Sequence, residues 1–381
     1  MKKGLLSGLV KASGNEHAGS IDVCKVYQTP YFVDTGNYVL NALISGDIYK
    51  GIPAGMIIQW AGGGSTGKSF MTQNCLINHI KSGKNNIGLF VETEGALIAE
   101  QILEHLTEEE ASRLLLFPCR TVEEIKVQTN KILEEIKKKA DEFVDSRFLM
   151  NIDSIGMPAS QKEKDDSTKD SAPRDMTRAQ AVSSLFRTIV MDLAILHIPV
   201  NLINHQYKTM DMFSPNEESS GAKVAYSNTV TLILTKKKLK DAKKIQVGTV
   251  FTITPKKSRI VAENISKIEI YSKFKIGMDR YSGLWEFLKN HDLIKSVGNG
   301  SKGGSTITFK HNGEQWDTKD IAKMRPDEFW TKEKLDFINN KFQEYYLLQR
   351  AKDKGIDEIL AEPQSEIVMD NEVEEIEASE D

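Results

Sequence analysis

The chain has 381 residues, 40% hydrophobic and 27% charged, which fits a globular protein with one large core and a smaller satellite, or with two ordinary domains. The three cysteines, Cys24, Cys75 and Cys119, show no metal-ligand spacing and argue against a disulfide framework; no run approaches the roughly 18 apolar residues of a membrane span, and the basic, glycine-interrupted start is too short for a secretory signal, so a reducing, cytoplasmic setting is expected. The net charge of −4 hides an asymmetry, because residues 355–381 hold 11 Asp and Glu and no Lys or Arg, leaving +7 on the rest: a basic body suits a polyanion, and the acidic tail either competes for that surface or merely solubilises.

Residues 1–32 read as an arm, with a small amphipathic helix near Leu5–Ala12 and a strand at Ile21–Gln28. Too small to bury a core, it must pack on the main domain or on another protomer. From Val33 to about residue 277 strands and helices alternate, which predicts an α/β fold with a mostly parallel sheet. Met56–Trp60 is a short apolar run entering a glycine-rich loop, and Phe70–Ile80 follows at helical length. Buried strands are predicted at Ile87–Val91, Phe148–Ile152 and Pro199–Ile203. They end in Glu92-Thr93-Glu94, Asp153 and Asn204-His205. Open α/β sheets bind ligands at the carboxyl ends of their strands, so these polar termini mark one site. Two long polar stretches, Met157–Asp175 and Gln206–Lys223, read as functional loops. Strands at Thr229–Leu234, Thr249–Thr254 and Lys267–Tyr271 follow, then a small α+β C-terminal domain over 278–350. Its pattern is a helix at Leu284–Asn290, a glycine-rich hairpin and a long helix near Lys332–Arg350. Residues 351–381 form the acidic tail, expected to be disordered.

Gly62-Gly63-Gly64-Ser65-Thr66-Gly67-Lys68-Ser69 satisfies G-x-x-x-x-G-K-[ST] in full. Its glycines let backbone N–H groups turn toward phosphate oxygens. Lys68 adds positive charge, the Ser69 hydroxyl suits Mg²⁺, and the next helix aims its N-terminus at the anion. Asp153 suits the carboxylate that holds Mg²⁺ through water, or else caps a turn. Glu94 is placed to polarise a water for attack on a γ-phosphate. Glu92 is a rival base on the same side of an extended strand, and spacing alone does not choose between them.

Several stretches together resemble the RecA-type strand-exchange recombinases, most closely the phage UvsX branch. They are Val33-Asp34-Thr35-Gly36 with Leu40–Gly46, the loop Gly62–Ser69, Phe90-Val91-Glu92-Thr93-Glu94 and Ile152-Asp153-Ser154-Ile155-Gly156. Asp175-Met176-Thr177-Arg178-Ala179, Ser184-Leu185-Phe186-Arg187 and Ile203-Asn204-His205 follow in matching order. The resemblance spans roughly Val33 to Ser282, about two thirds of the chain.

The resemblance implies a RecA-like core with ATP and Mg²⁺ as cofactors, and a DNA-dependent ATPase that assembles as a filament on single-stranded DNA. Strand exchange with double-stranded DNA, a single-strand-binding protein and a recombination mediator follow as expected partners. It selects Glu94 over Glu92 as the catalytic residue and makes His205 the sensor of the γ-phosphate. Lys257 and Arg259 match paired basic residues that reach a neighbour's nucleotide. The two polar loops match DNA-binding loops, with Arg174, Arg178, Lys208 and Lys223 as phosphate contacts. Phe213 there stacks on a base or a neighbouring subunit, or anchors its own loop. The chain departs from the pattern at Gln101, where relatives often carry a tyrosine that stacks on adenine, and at Ser220-Gly221, where a glycine pair is usual. A ring helicase or loader ATPase on the same core, and a nucleotide-gated DNA-binding protein with little hydrolysis, remain alternatives at this level.

Overall fold

The computed structural model describes residues 3–166, 177–207, 217–218, 227–262, 267–274, 276–300 and 303–347. Its centre is a sheet of ten strands among the described residues. In chain order the main strands are β1 (Ile57–Gly62), β2 (Asn86–Glu92), β3 (Leu114–Pro118), β4 (Arg147–Asp153), β5 (Val200–Tyr207), β6 (Val230–Lys240), β7 (Gln246–Ser258), β8 (Ile268–Lys273) and β9 (Gly277–Met278). Their spatial order is β9-β8-β7-β6-β1-β5-β4-β2-β3. The strands from β6 to β3 run parallel, and β7, β8 and β9 add an antiparallel edge. The short pair Glu217–Glu218 lies against the end of β5. The mixed α/β architecture with a mostly parallel sheet is the one expected.

Central strands are apolar on both faces because helices cover both. On one face Ile58, Trp60, Phe90, Leu149 and Ile203 share a core with Met71, Cys75, Leu76 and Ile80 of the helix Lys68–Lys81. On the other, Ile57, Val91, Met150, Ile152 and Leu202 pack with the helices Val122–Lys138 and Thr177–Ile195. The period-2 alternation of side chains sends neighbouring residues such as Ile57 and Ile58 to different cores. Among the described residues, no helix is long and apolar enough to cross a membrane.

Three buried amide and indole groups tie the first helix layer to the sheet. Trp60 Nε1 donates to Asn201 Oδ1 at 2.9 Å, Asn201 Nδ2 donates to Asn151 Oδ1 at 3.0 Å, and Asn151 Nδ2 donates to the Thr72 carbonyl at 2.9 Å. All four residues are fully buried. Fully satisfied polar chains of this kind specify one packing, since each broken link leaves an unpaired polar group in a dry interior.

Two expectations need correction. Ile21–Gln28 is not a strand; it holds a 3₁₀ turn at Lys25–Tyr27, and Ile21, Val23 and Tyr27 are exposed. A strand needs a neighbouring strand for its backbone groups; among the described residues this stretch pairs with none and closes local turns instead, as in Cys24 N–H to the Ser20 carbonyl. The first polar loop also contains a short helix, Gln161–Asp166. The arm ends at Tyr31, whose hydroxyl accepts from the Phe148 N–H at 3.2 Å and donates to the His197 carbonyl at 2.7 Å. Residues 278–347 form a three-stranded sheet (Ile294–Gly298, Ser305–Phe309, Gln315–Asp317) with helices Leu284–Asn290 and Lys332–Tyr346. Phe287, Leu288, Ile338 and Phe342 join Leu40, Ile44 and Ile270 in one core, so this region has its own sheet without a separate interior.

Candidate functional site: a phosphate-loop edge

The loop after β1 turns on two glycines with positive φ, Gly62 at 151° and Gly67 at 99°. A Cβ on Gly67 would meet the Phe251 ring at 2.2 Å, and one on Gly62 would meet the Leu234 carbonyl oxygen at 2.5 Å. Only glycine fits at either position. Gly67 also begins the helix Lys68–Lys81 with no side-chain cap, so its first N–H groups remain oriented for an anion. The Lys68 ammonium is buried and donates to the carbonyls of Gly63 (2.7 Å) and Gly62 (3.1 Å). Burial pulls its pKa below the ordinary lysine value, against the attraction of Glu94 and Asp153.

The carboxyl ends of β2, β4 and β5 bring three expected residues together. Glu92 pairs with Asp153 in the ladder, so the turn after β2 lies beside the end of β4. Thr93 clasps that junction: its hydroxyl accepts from the Ser154 N–H and donates to the Ser154 carbonyl, both at 2.8 Å. The peptide between Asp153 and Ser154 is cis. Glu94 then accepts from the Ser154 hydroxyl at 2.7 Å and lies 2.8 Å from His205 Nε2, both at Oε1. An ionised carboxylate only accepts, so Nε2 carries the hydrogen. The His205 bond is the main reason the Glu94 carboxyl is held below its usual range.

Glu92 does something different. Its Oε1 accepts from the backbone N–H groups of Glu94 (3.0 Å) and Ala96 (3.3 Å), which fixes the turn that presents Glu94. Asp153 is pushed up to about 6, chiefly by burial and in part by Glu94, while a hydrogen bond from Ser69 pulls the other way. The Ser69 hydroxyl and Asp153 carboxylate are hard oxygen donors facing each other, a donor pair that fits Mg²⁺. A cation there would oppose that rise by favouring the ionised carboxylate.

Lys257 and Arg259 are not part of this cluster. Ser258 pairs with Val230, which is level with Ile58 at the start of β1. The Lys257 ammonium donates to the Asn228 carbonyl at 2.8 Å, and the Arg259 N–H bonds Thr229. Lys257 is level with Gln59, so at the strand rise per residue the two lie about 10 Å or more from Gly62, toward the amino edge of the sheet. Arg178 is half-buried and donates to the carbonyls of Ile155, Gly156 and Pro158 at 2.6–2.9 Å, bracing the entrance to the first loop. Arg174, Lys208, Phe213 and Lys223 lie outside the described residues, as does the acidic tail.

Ser154 and Thr93 were not among the expected site residues. The only signal for them was a pair of hydroxyls beside acidic residues at two strand ends. No family model matches the chain. It is similar to the "Recombination and repair protein" of Enterobacteria phage T4, with 29% identity over 296 residues, covering 78% of this chain and 73% of that relative.

Proposed function

We propose that this chain acts in DNA recombination and repair as an ATP-dependent recombinase. In this reading it forms a helical filament on single-stranded DNA and pairs it with homologous duplex. The observation that carries the proposal is the Glu94–His205 contact. It joins the group suited to activate water to the strand β5, which leads directly into the second polar loop. A γ-phosphate competing for His205 would alter that strand's end, so the nucleotide state and the grip on DNA would be coupled. The likeness to the phage T4 recombination and repair protein supports the same reading.

Lys68 and the loop N–H groups bind the phosphates, with Lys68 exchanging its carbonyl partners for phosphate oxygens. Ser69 and Asp153 would hold Mg²⁺, which neutralises charge on the β- and γ-phosphates when bound. Glu94 accepts a proton from water as the water oxygen bonds the γ-phosphorus and the bond to the β-phosphate oxygen breaks. Glu92, Thr93 and Ser154 hold Glu94 in place. Lys257 and Arg259, remote from their own phosphate loop, are suited to a neighbour's site, in the manner of an arginine finger. Such a head-to-tail contact generates a helical polymer when its rotation does not close.

Phosphate release measured with and without single-stranded DNA tests the reading. DNA-stimulated turnover that Lys68→Ala abolishes is expected. High turnover indifferent to DNA would refute the filament mechanism.

A further inference from the structure

A phosphate loop reads phosphates and leaves the base unread, and the position where relatives often carry a stacking tyrosine is Gln101, an exposed residue here. The structure offers a different aromatic. Phe70 lies two residues beyond Lys68 on the helix that begins at the loop, and it is 37% exposed. Its packing against the protein accounts for one face of the ring and leaves the rest open. One ring face lies on Phe251, with centroids 5.4 Å apart and planes 14° from parallel. Phe251 in turn is buried against Gly67 of the loop. The pair is therefore a two-ring stack mounted on the phosphate loop itself, its inner ring fixed in the core and its outer ring open.

The stack also lies at the correct end. Glu94 and Asp153, which mark where the γ-phosphate reacts, come from β2 and β4 on one side of β1. Phe251 comes from β7, on the other side beyond β6. A triphosphate laid along the loop with its γ end toward Glu94 directs its nucleoside toward Phe70.

We propose that Phe70, backed by Phe251, is the platform on which the nucleobase of the bound nucleoside triphosphate stacks. This rests on the phosphate-loop reading above and adds the base subsite to it. A bare aromatic face carries no hydrogen-bond code, so it favours purines over pyrimidines by stacking area and separates adenine from guanine weakly.

The test compares ATP with inorganic tripolyphosphate, which has the phosphates and no base, by equilibrium binding and by competition. Phe70→Ala is expected to weaken ATP about tenfold, the scale of one base–aromatic stack, and to leave tripolyphosphate unchanged. Phe70→Trp is expected to retain ATP affinity. Phe70→Leu keeps Phe251 covered and should behave like the alanine variant even if alanine loosens the fold. Equal weakening of ATP and tripolyphosphate would overturn the platform, because Phe70 would then only shape the loop. Unchanged ATP affinity with loss of self-association would also overturn it and assign the ring to a subunit contact. Failure of the underlying reading is separable: in that case Lys68→Ala binds tripolyphosphate as well as the unaltered chain does.

Discussion

His205 Nε2 and the Ser154 hydroxyl converge on the same oxygen of Glu94, Oε1, at 2.8 and 2.7 Å. The carboxylate is thus anchored through that one oxygen. In the proposed reading, two hydrogen bonds to one oxygen orient a general base. The anchor on β5 ties Glu94 to the segment that precedes the second loop.

Glu94 and Glu92 are therefore expected to separate cleanly. Glu94→Gln should lower ATP turnover by about 10² or more, the usual contribution of a positioned base, while nucleotide binding persists. Glu92→Gln should retain most turnover and lose about 1 kcal/mol of stability, the scale of weakened backbone hydrogen bonds. Phosphate-release kinetics and denaturant unfolding of the two variants decide it. Equal loss of turnover would mean that the turn, and not the carboxylate, limits catalysis.

Asn201→Leu removes the central link between Trp60 and Asn151. The Trp60 N–H then loses its acceptor and Asn151 its donor in a fully buried layer. A destabilisation of about 3 kcal/mol is expected from two unsatisfied groups, read as a shift in the urea midpoint. A neutral result would mean that the layer repacks around the new side chain.

The strands that build the site were legible because each is a short run apolar on both faces and punctuated by a polar terminus. β1, β2, β4 and β5 follow the expected spans to within a few residues. The strand expected at Thr229–Leu234 runs on through a lysine-rich stretch, so that β6 extends to Lys240. Its exposed lysines are held by hairpin pairing with β7, a long-range cause that local composition does not reveal. β3 is similar: Leu115 and Leu116 are exposed on an edge strand, so the run is recognisable only beside β2. Spacing left Glu92 and Glu94 equivalent. What distinguishes them is a turn whose backbone N–H groups occupy Glu92, and no alternation pattern encodes that.

His79 supplies a pH dependence away from the site. It is buried, its Nε2 lies 3.0 Å from the Arg147 carbonyl, and burial lowers its pKa from 6.5 to about 4. The unfolded chain takes up a proton between these values while the folded chain does not. Stability from this group is therefore present above pH 6.5 and lost as pH falls toward 4. Between pH 7 and 5 the loss should be about 2 kcal/mol at 1.36 kcal/mol per unit. Asp153, raised to about 6, gains stability over the same interval, so the increment is read as a difference: urea titrations at both pH values should show a change from pH 7 to 5 that is less favourable in the unaltered chain than in His79→Gln by about that amount. Identical pH dependence in the two would exclude His79 as the cause.

Lys257 and Arg259 allow the strongest test of whether the site is shared. Their backbone lies near the amino edge of the sheet, level with the start of β1, while Lys68, Asp153 and Glu94 gather at the carboxyl edge. Within one protomer the two sets therefore lie toward opposite edges of the sheet. Arg259→Ala should still bind nucleotide and fail to turn it over, and Lys68→Ala should do neither. Mixed on single-stranded DNA, the two variants should recover activity, since an intact phosphate loop from one then faces an intact arginine from the other across a head-to-tail contact. A mixture no more active than its parts would mean that the site is completed within one chain by a rearrangement of β7.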